Sequence, residues 1–445
     1  MTPYPLQLQT FAARLPAPLY AVGGCVRDTL LQKPSHDIDL CSANRPETIR
    51  QAAEREGIAC RLVNERLGTV QLVLGERTLE HTTFRTESYP PGGAHRPAEI
   101  AFTDDLKQDA FRRDFSINAI YQDVRTGELI DPTGGLDDLN KRLLRTTTAD
   151  PCRILCDDGL RILRLVRFAI STGFSIEEQT WQCAQKSIRL LDDVAWERKR
   201  QELDRLLVFD DVFRALSLLR ELGALFRLIP ELSEADGMAQ RSDYHRYDVL
   251  THLFRTCEAM PPEVPLRLMG LLHDVGKPAC KRETGNFHRH AVYGERMTET
   301  ILKRLTYPNA MIVRVKTAVR HHMFDLDGRA KESTLKKQFV LWGKAGVLDW
   351  IRLREADFRG SGYRTDYVAD RWRSVYEEML LSGCPWSESE LAVTGSDIME
   401  ALHLPPSPAV SALKTKLLLH CACHPKDNER ERLLRLLTDF RNKSA

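Results

Sequence analysis

The chain has 445 residues, of which 64 are basic and 62 acidic, so its formal net charge is only +2. This length exceeds what a single hydrophobic core usually supports, and we expect roughly three or four domains. No segment resembles a strongly basic tail, so any nucleic-acid partner would have to be bound by local basic patches. Hydrophobic residues make up 42% and charged residues 28%, as in an ordinary globular protein.

Membrane and export signals are not found in the sequence pattern. There is no run of about 18 apolar residues and no charged-then-apolar N-terminal leader, so we expect a cytoplasmic protein that does not bind membranes. The 11 cysteines are odd in number and scattered through a long chain. That usage favours reduced thiols over a disulfide framework.

The segment 19–31 predicts a short buried strand, a turn and a helix. Gly23 and Gly24 form the turn. A Gly-Gly pair at the start of a helix lets backbone N–H groups approach a phosphate, and the helix dipole favours negative charge. Arg27 adds a positive charge in the first helical turn. We therefore predict nucleotide binding at Gly23, Gly24 and Arg27; an ordinary Gly-Gly turn is the alternative.

Polar and apolar residues alternate over 37–40, which is the period of a strand with one buried face. Asp37 and Asp39 share one side of this strand. Adjacent carboxylates repel each other, so we predict that they are catalytic and jointly bind Mg²⁺. Further strands are predicted at 60–63, 68–74 and 77–85. Glu80 on the last of these is predicted to complete the catalytic set, and an exposed acidic strand is the alternative.

The pattern of 104–121 predicts a helix that carries more nucleotide-binding groups. Arg113 can neutralise phosphate and Asp114 can accept a hydrogen bond from a ribose hydroxyl. Asn118 lies four residues after Asp114, on the same helical face. Phosphate-binding backbone beside a pair of metal-binding carboxylates is the equipment of two-metal phosphoryl transfer. Two arginines on a solvated helix face are the alternative.

Four motifs of this region together resemble one family. They are Gly-Gly-x-Val-Arg-Asp from residue 23, Asp-x-Asp-Leu from residue 37, Arg-Arg-Asp-Phe-Ser-Ile-Asn-Ala from residue 112 and Asp-Pro-x-x-Gly-x-x-Asp-Leu from residue 131. The combination is similar to the class II tRNA nucleotidyltransferases, template-independent enzymes of the DNA polymerase beta superfamily that build the CCA 3′ end. The resemblance implies an α+β fold: a polymerase-beta-like head with a mixed sheet, then an all-helical neck, HD domain and tail. It also implies the tRNA 3′ end, CTP and ATP as partners.

The next segment resembles the Glu-Asp-x-x-Arg motif of that family, with Asp157 in place of Glu. In the family, the second acid and the arginine pair with the incoming base. A carboxylate accepts from the exocyclic amine shared by cytosine and adenine, and a guanidinium donates to their ring acceptors. The resemblance implies base selection by Asp158 and Arg161 and a phosphate or base contact by Arg164. An amphipathic surface helix is the alternative.

Related enzymes add different nucleotides, and the motifs alone do not decide which of these activities this chain has. Bacterial poly(A) polymerases share the same head, and some bacteria divide CCA synthesis between CC-adding and A-adding enzymes. The stretch 64–74 resembles CCA-adding members, and there is no long arginine-rich C-terminal tail. The sequence therefore favours full CCA addition, with CC-only, A-only and poly(A) addition as alternatives. A signalling phosphohydrolase whose head only senses nucleotides is an alternative of a different class.

Seven of the 13 histidines lie within residues 245–322. His252, the adjacent pair His273 and Asp274, and the distant Asp357 resemble the metal-ligand order of the HD phosphohydrolase superfamily. The resemblance implies a divalent transition metal (Ni, Mn or similar) or Mg²⁺ that activates water against phosphoesters. In some CCA-adding enzymes this domain has phosphatase and 2′,3′-cyclic phosphodiesterase activity. An inactive scaffold that only holds tRNA is the alternative.

Other histidines leave a second metal open. His290, with either His321 or His322, is a candidate for a second metal or for a substrate phosphate. We predict four domains: a head over 1–145, a neck over 146–235, an HD domain over 236–370 and a tRNA-binding tail over 371–445.

Overall fold

The computed structural model of the protein describes residues 4–34, 38–89, 97–362 and 369–442. The chain forms two compact units, one of Met1–Phe209 with Arg214–Leu228 and one of Asp210–Phe213 with Ile229–Ala445. Among the described residues, every named strand lies in the first unit, and the second unit is helical. The predicted α+β class is confirmed, whereas the four domain boundaries stay predictions.

The first unit begins with a mixed sheet, as predicted. Its strands are β1 (Tyr20–Val22), β2 (Asp39–Ser42), β3 (Ala59–Asn64), β4 (Thr69–Leu74), β5 (Arg77–Thr83), β6 (Arg85–Ser88), β7 (Glu99–Phe102), β8 (Tyr121–Asp123), β9 (Leu129–Ile130) and β10 (Leu143–Leu144). Its helices are α1 (Leu6–Ala13), α2 (Gly24–Leu30), α3 (Pro46–Arg55), α4 (Leu106–Phe111) and α5 (Gly135–Lys141). Seven strands pair in the order β3-β4-β5-β2-β1-β8-β9, with β2 parallel to β5. β6 and β7 form a separate hairpin.

Buried and exposed side chains alternate at Asp39 and Leu40 on β2 and at Leu79 and Glu80 on β5. Leu40 is buried while its neighbour Asp39 is exposed, and on β5 Leu79 is buried beside the exposed Glu80. Val22 and Tyr121 belong to the buried cluster from neighbouring strands. The strand period therefore leaves the two carboxylates outside the core, as the sequence predicts.

The prediction of one helix over 104–121 is wrong. α4 ends at Phe111, a 3₁₀ turn covers Ser116–Asn118, and β8 follows. The backbone N–H groups of this turn find partners outside a helix: the N–H of Phe115 donates to the Asp114 carboxylate at 2.8 Å, and the N–H of Ser116 donates to the carbonyl of Arg145 at 3.0 Å. Such bonds compete with helical backbone pairing.

Helices complete the first unit. They are α6 (Pro151–Asp157), α7 (Leu160–Thr172), α8 (Glu178–Lys186), α9 (Trp196–Leu207), α10 (Val212–Leu222) and α11 (Ala224–Leu228), with a short strand β11 (Ser175–Ile176) parallel to β10. Cys152 on α6 and Cys183 on α8 form a disulfide, with their Cα atoms 5.2 Å apart. This corrects the expectation of reduced thiols for these two of the 11 cysteines; the other nine are free. The two helices pack side by side, and a separation of 31 residues in the sequence gives no sign of that.

The second unit is a helical bundle. Its helices are α12 (Val249–Ala259), α13 (Val264–Leu272), α14 (Lys277–Thr284), α15 (His290–Arg304), α16 (Asn309–His321), α17 (Glu332–Gly360), α18 (Asp370–Leu381), α19 (Gly395–Leu402), α20 (Pro408–Cys423) and α21 (Arg430–Asn442). Gly343, with φ +74°, kinks α17. α12 packs against α13 and α17, and α15 packs against α16. None of the described helices is both long and apolar enough to cross a membrane.

Candidate active sites

Two carboxylates and a glycine meet at the edge of the head sheet. The parallel pairing of β2 with β5 sets Asp39 directly opposite Glu80. Gly23 stands at the start of α2 with φ +83°, a conformation that glycine adopts without steric cost, and a Cβ at this position would lie 3.7 Å from Oδ2 of Asp39. Gly24 follows as the first residue of α2. Asp37, the other predicted metal ligand, lies outside the described residues.

The electrostatics of this edge favour a cation. Partial burial raises the pKa of Glu80, and the negative charge of Asp39 raises it further. Two carboxylates that disfavour each other's ionisation are stabilised as anions when a divalent cation lies between them, and oxygen ligands suit Mg²⁺. The placement of Glu80 on a strand beside Asp39 agrees with the sequence analysis; metal binding there stays a prediction.

Arg27 connects this edge to the turn after α4. Its guanidinium is buried, donates to Asp28 at 2.8 and 3.0 Å and donates through Nη1 to Oδ1 of Asn118 at 2.7 Å. The amide of Asn118 in turn donates to Asp114 at 3.4 Å, and Asp114 accepts two bonds from Arg164 at 2.8 and 2.5 Å. Four predicted nucleotide-binding residues are therefore joined in one hydrogen-bonded series, which we call the arginine–asparagine relay.

The relay is strongly charged. Burial would raise the pKa of Asp114, but the guanidinium groups of Arg164 and Arg161 lower it to about 2, so this carboxylate is ionised at neutral pH. Phe168 lies under the guanidinium groups of Arg27, Arg164 and Arg167 at 5.3, 5.2 and 4.2 Å. Phe168 is not among the residues predicted from the sequence, although it lies one helical turn after Arg164 on the same helix.

The predicted base-selecting pair has protein partners in this conformation. Asp158 accepts from the N–H of Leu160 at 3.0 Å and from Nη2 of Arg198 at 2.8 Å. Arg161 is buried and donates to the backbone carbonyls of Ile154 and Arg112 at 2.8 and 2.7 Å. A base that bound to both side chains would therefore have to exchange these hydrogen bonds for its own.

Arg113 has different neighbours from those of the relay. Its guanidinium donates to Asp109 at 3.0 Å and to the hydroxyl of Tyr121 at 3.0 Å. The same Asp109 carboxylate also accepts from Arg112 and Tyr121. In this arrangement the contacts of Arg113 brace the turn that carries Asp114, so a direct phosphate contact would require a change of partner.

The second unit brings together the residues of the HD-like pattern. His252 on α12, His273 after α13 and Asp357 on α17 form a first set. Nε2 of His252 lies 3.0 Å from Nε2 of His273 and 3.0 Å from Oδ1 of Asp357, and Nε2 of His273 lies 3.3 Å from the same oxygen. Both histidines are fully buried. The predicted ligands from three distant segments therefore converge on one point.

A second set adjoins the first through Asp274. Asp274, His290 and His322 have ligand atoms within 4.8 Å of one another. Oδ2 of Asp274 faces His252 and His273 at 3.5 and 3.3 Å, while Oδ1 faces His290 and His322 at 2.9 and 3.4 Å. The carboxylate thus lies between the two sets, and we call all six residues the histidine cluster.

Backbone contacts fix how the cluster histidines are protonated. The Nδ1 atoms of His273, His290 and His322 lie 2.9, 2.7 and 2.7 Å from backbone carbonyl oxygens, which can only accept. The proton of each neutral ring is therefore on Nδ1, and the Nε2 lone pair faces the centre of the cluster. Imidazole nitrogens and carboxylate oxygens in this arrangement fit divalent cations such as Mn²⁺ and Ni²⁺.

The cluster attracts positive charge of any kind. Burial lowers the pKa of His273, but Asp274 and Asp357 outweigh it and raise the pKa to about 10. Lys277 lies 2.5 Å from Asp274 and is itself held by Gln240 at 2.5 Å. Burial raises the pKa of Asp274, yet Lys277 and His273 bring it well below its usual range. The carboxylates therefore stay ionised and available to a cation.

The alternative between His321 and His322 is decided by helix geometry. Nε2 of His322 lies 3.1 Å from Nε2 of His290 inside the cluster. The ring of His321 instead packs against Trp342 and Trp350, with centroids 6.0 and 6.3 Å away. Neighbouring residues at the end of a helix face different directions, so only His322 joins the second set.

Comparisons with known proteins agree with this layout. The Poly A polymerase head domain family matches residues 19–145, the probable RNA and SrmB-binding site of polymerase A matches 173–236, and the HD domain matches 243–355. The A-adding tRNA nucleotidyltransferase of Deinococcus radiodurans is 32% identical over 411 residues, covering 87% of this chain and 88% of that protein. The CC-adding tRNA nucleotidyltransferase of Thermus thermophilus is 30% identical over 421 residues, covering 90% and 89%.

A CCA-adding enzyme of Geobacillus sp. is 29% identical over 427 residues, covering 93% of this chain and 91% of the relative. The crystal structure of the Bacillus stearothermophilus CCA-adding enzyme in complex with CTP has a TM-score of 0.74 and 24% identity, covering 100% of this chain and 99% of that chain. This structural likeness concerns the fold alone. The relatives carry three different addition specificities over nearly their whole length, so overall similarity does not separate those specificities.

The geometry of the histidine cluster predicts a second cation that depends on His322. We expect His322→Ala to weaken binding of one of two Mn²⁺ ions by more than about tenfold, because one nitrogen ligand is lost. Isothermal titration calorimetry with Mn²⁺ measures this. His321→Ala is the matched control and should bind as the unaltered protein does; equal Mn²⁺ binding by both variants would contradict the assignment.

Proposed function

This chain belongs to the class II CCA-adding tRNA nucleotidyltransferases that carry an HD domain, and we propose that it adds C, C and A in turn to the tRNA 3′ end from CTP and ATP. The observation that carries the proposal is the pairing of Asp39 with Glu80 beside Gly23, one end of the phosphate-binding turn. A carboxylate pair next to a glycine turn suits a bound nucleoside triphosphate with its Mg²⁺.

Nucleotide addition has a simple atomic balance. The 3′-hydroxyl oxygen of the tRNA forms a bond to the α-phosphorus, and the bond from that phosphorus to the bridging oxygen of pyrophosphate breaks. The hydroxyl proton passes to solvent, and pyrophosphate leaves. Asp39 and Glu80, with Asp37, would hold Mg²⁺, which when bound lowers the pKa of the hydroxyl and neutralises the triphosphate. Arg27 presents its guanidinium to the phosphates from the first turn of α2, and Asn118 fixes its orientation at 2.7 Å.

Base choice is assigned to Asp158 and Arg161. The carboxylate accepts from the exocyclic amine of cytosine or adenine, and the guanidinium donates to a ring acceptor. Uracil and guanine present a keto oxygen where the amine would be, and two acceptors facing each other repel. One pair can therefore serve both CTP and ATP, which favours full CCA addition over CC-only, A-only or poly(A) addition. Arg164, which follows Arg161 by one turn on α7, is ion-paired with Asp114 on the turn after α4. The bond of Asp158 to Arg198 is the one that a base must displace.

For the histidine cluster we propose phosphohydrolase activity on phosphomonoesters and 2′,3′-cyclic phosphates. A bound transition metal, or Mg²⁺, would supply an activated water; His252, His273, Asp274 and Asp357 would hold it. His290 and His322 extend the set to a second cation. Both activities act on RNA ends, and we place them in the cytoplasm with the tRNA substrate.

Asp39→Asn should reduce nucleotide addition at least about a hundredfold, because the loss of one carboxylate leaves the transition-state charge without its cation. Binding of tRNA, measured by gel mobility, should change less than about twofold. Incorporation of labelled CTP into tRNA that lacks CCA is the readout. Asp104→Asn, an exposed acid of the same head paired with Arg45, is the control. Addition at the unaltered rate by Asp39→Asn would refute the assignment.

Asp158→Asn should weaken the choice of base. An amide offers both a donor and an acceptor, so the ratio of kcat/KM for CTP to that for UTP should fall about tenfold or more. Single-nucleotide incorporation with each of the four triphosphates measures it. Glu197→Gln, an exposed acid beside Arg198, should leave the ratio as it is. An unchanged ratio in Asp158→Asn would remove this residue from base selection.

His273→Ala should abolish hydrolysis of a nucleoside 2′,3′-cyclic phosphate and leave CCA addition within about twofold, because the cluster lies in a different compact unit from Asp39. Phosphate-ester hydrolysis with added Mn²⁺ and CTP incorporation are measured on the same preparation. His403→Ala, an exposed histidine outside the cluster, is the control. Hydrolysis that persists in His273→Ala would come from another site or a contaminant.

A further inference from the structure

The ring of Phe168 lies among three guanidinium groups of the first compact unit. Phe168 is on α7 and is 6% exposed. Its ring centre is 5.3 Å from Cζ of Arg27, 5.2 Å from Cζ of Arg164 and 4.2 Å from Cζ of Arg167. An edge-to-face contact with the fully buried Phe115, whose ring centre is 5.7 Å away, fixes the ring in place. All three cations are within the range of about 6 Å over which an aromatic ring attracts positive charge.

Like charges around a single ring repel one another. Burial lowers the pKa of Arg167, Glu202 raises it, and the positive charge of Arg164 lowers it. The negative face of an aromatic ring reduces such repulsion, which an aliphatic side chain of similar size does not do. Each of the three cations also has one carboxylate partner. The pairs are Arg27 with Asp28 at 2.8 Å, Arg164 with Asp114 at 2.5 Å and Arg167 with Glu202 at 2.6 Å.

Arg27 keeps hydrogen-bond donors that a phosphate can use. An arginine has five N–H groups in a planar fork. Asp28 accepts from Nε and Nη2 of Arg27, and Asn118 accepts from Nη1. Among the described residues this leaves one N–H of each Nη atom for a phosphate oxygen. A second carboxylate would occupy these groups, whereas the ring of Phe168 stabilises the positive charge and leaves them available.

We propose that Phe168 is a positioning residue for the nucleoside triphosphate: its ring holds the guanidinium group of Arg27 beside two other cations and oriented toward the phosphates. Phe168 does not touch the nucleotide and acts through Arg27. Nucleotide binding therefore requires the electrostatic attraction of the ring and not only its volume. This inference rests on the nucleotide addition proposed above, in which Arg27 contacts the triphosphate.

The test varies the charge distribution of the ring at nearly constant volume. In the full chain, Phe168 is replaced by phenylalanine with one, two or three fluorine atoms on the ring. Fluorine withdraws electron density from the ring face and so weakens its attraction for cations. Isothermal titration calorimetry with CTP and Mg²⁺ measures the Kd. We expect the Kd to rise with each fluorine and to reach about tenfold with three, because Arg27 is then held less firmly.

Two further series separate this role from ordinary packing. Phe174 is a 2% exposed phenylalanine of the same compact unit, and no described cation lies over its ring. The same fluorinated residues at position 174 are the matched control and should leave the Kd for CTP within about twofold. In Arg27→Ala, fluorination of Phe168 should no longer change the Kd, because the ring acts through Arg27.

A Kd that fluorination of Phe168 leaves unchanged would overturn this inference alone, since incorporation of CTP into tRNA tests nucleotide addition separately. A rise in Kd that is equally large in Arg27→Ala would also overturn it, because the ring would then act on another group. If the unaltered protein does not bind CTP, both the inference and the proposed nucleotide addition fail.

Discussion

The ion pair between Asp114 and Arg164 is the interaction on which the proposed nucleotide site depends. Asp114 is buried and ionised, and breaking a buried pair by removing one partner typically costs about 3–5 kcal/mol. Arg164 is on α7, while Asp114 is on the turn that also positions Asn118 and, through it, Arg27. The relay therefore holds Arg27, which is assigned to the phosphates, in a fixed position relative to Arg164 on the helix that also carries Arg161. The predicted base-selecting pair Asp158 and Arg161 has protein partners in this conformation, so a bound base would exchange those bonds for its own.

The histidine cluster differs from the relay in how its charges are arranged. In the relay each charge has a partner of opposite sign, whereas in the cluster four imidazoles and two carboxylates converge, and the carboxylates draw positive charge, whether protons on the imidazoles or bound cations. Lys277 neutralises part of Asp274, and the three carbonyl contacts hold the imidazoles in the tautomer that a cation needs. The relay is thus charge-balanced by itself, whereas the donor set of the cluster fits divalent cations.

Much of both sites follows from local patterns in the sequence. Alternation placed Asp39 and Glu80 outside the core, and the order of His252, His273, Asp274 and Asp357 indicated one converging set. The pattern does not determine that β2 pairs with β5 in parallel, because β3 and β4 intervene in the chain and the pairing depends on the whole sheet. The combination of motifs indicated the family and its function, because no single motif was specific enough to do so.

Where the sequence analysis failed, long-range packing or side-chain competition decided the structure. Residues 104–121 have helical spacing, but Asp114 and Ser116 bond to local and distant partners and end the helix early. The disulfide between Cys152 and Cys183 depends on how two helices pack. The choice of His322 over His321 requires knowing which face of α16 meets α15. Each of these features depends on tertiary packing, which the hydrophobic periodicity of the sequence does not determine.

The central claim is that one site in this chain adds both C and A. Incubation with Mg²⁺ and tRNA transcripts that end before CCA, after C and after CC, with labelled CTP or ATP, tests it most directly. We expect that CTP is added twice and ATP once, and that every transcript stops at CCA. Addition of C alone, of A alone, or of long A runs on any RNA would contradict it and would assign the chain to a different branch of its family.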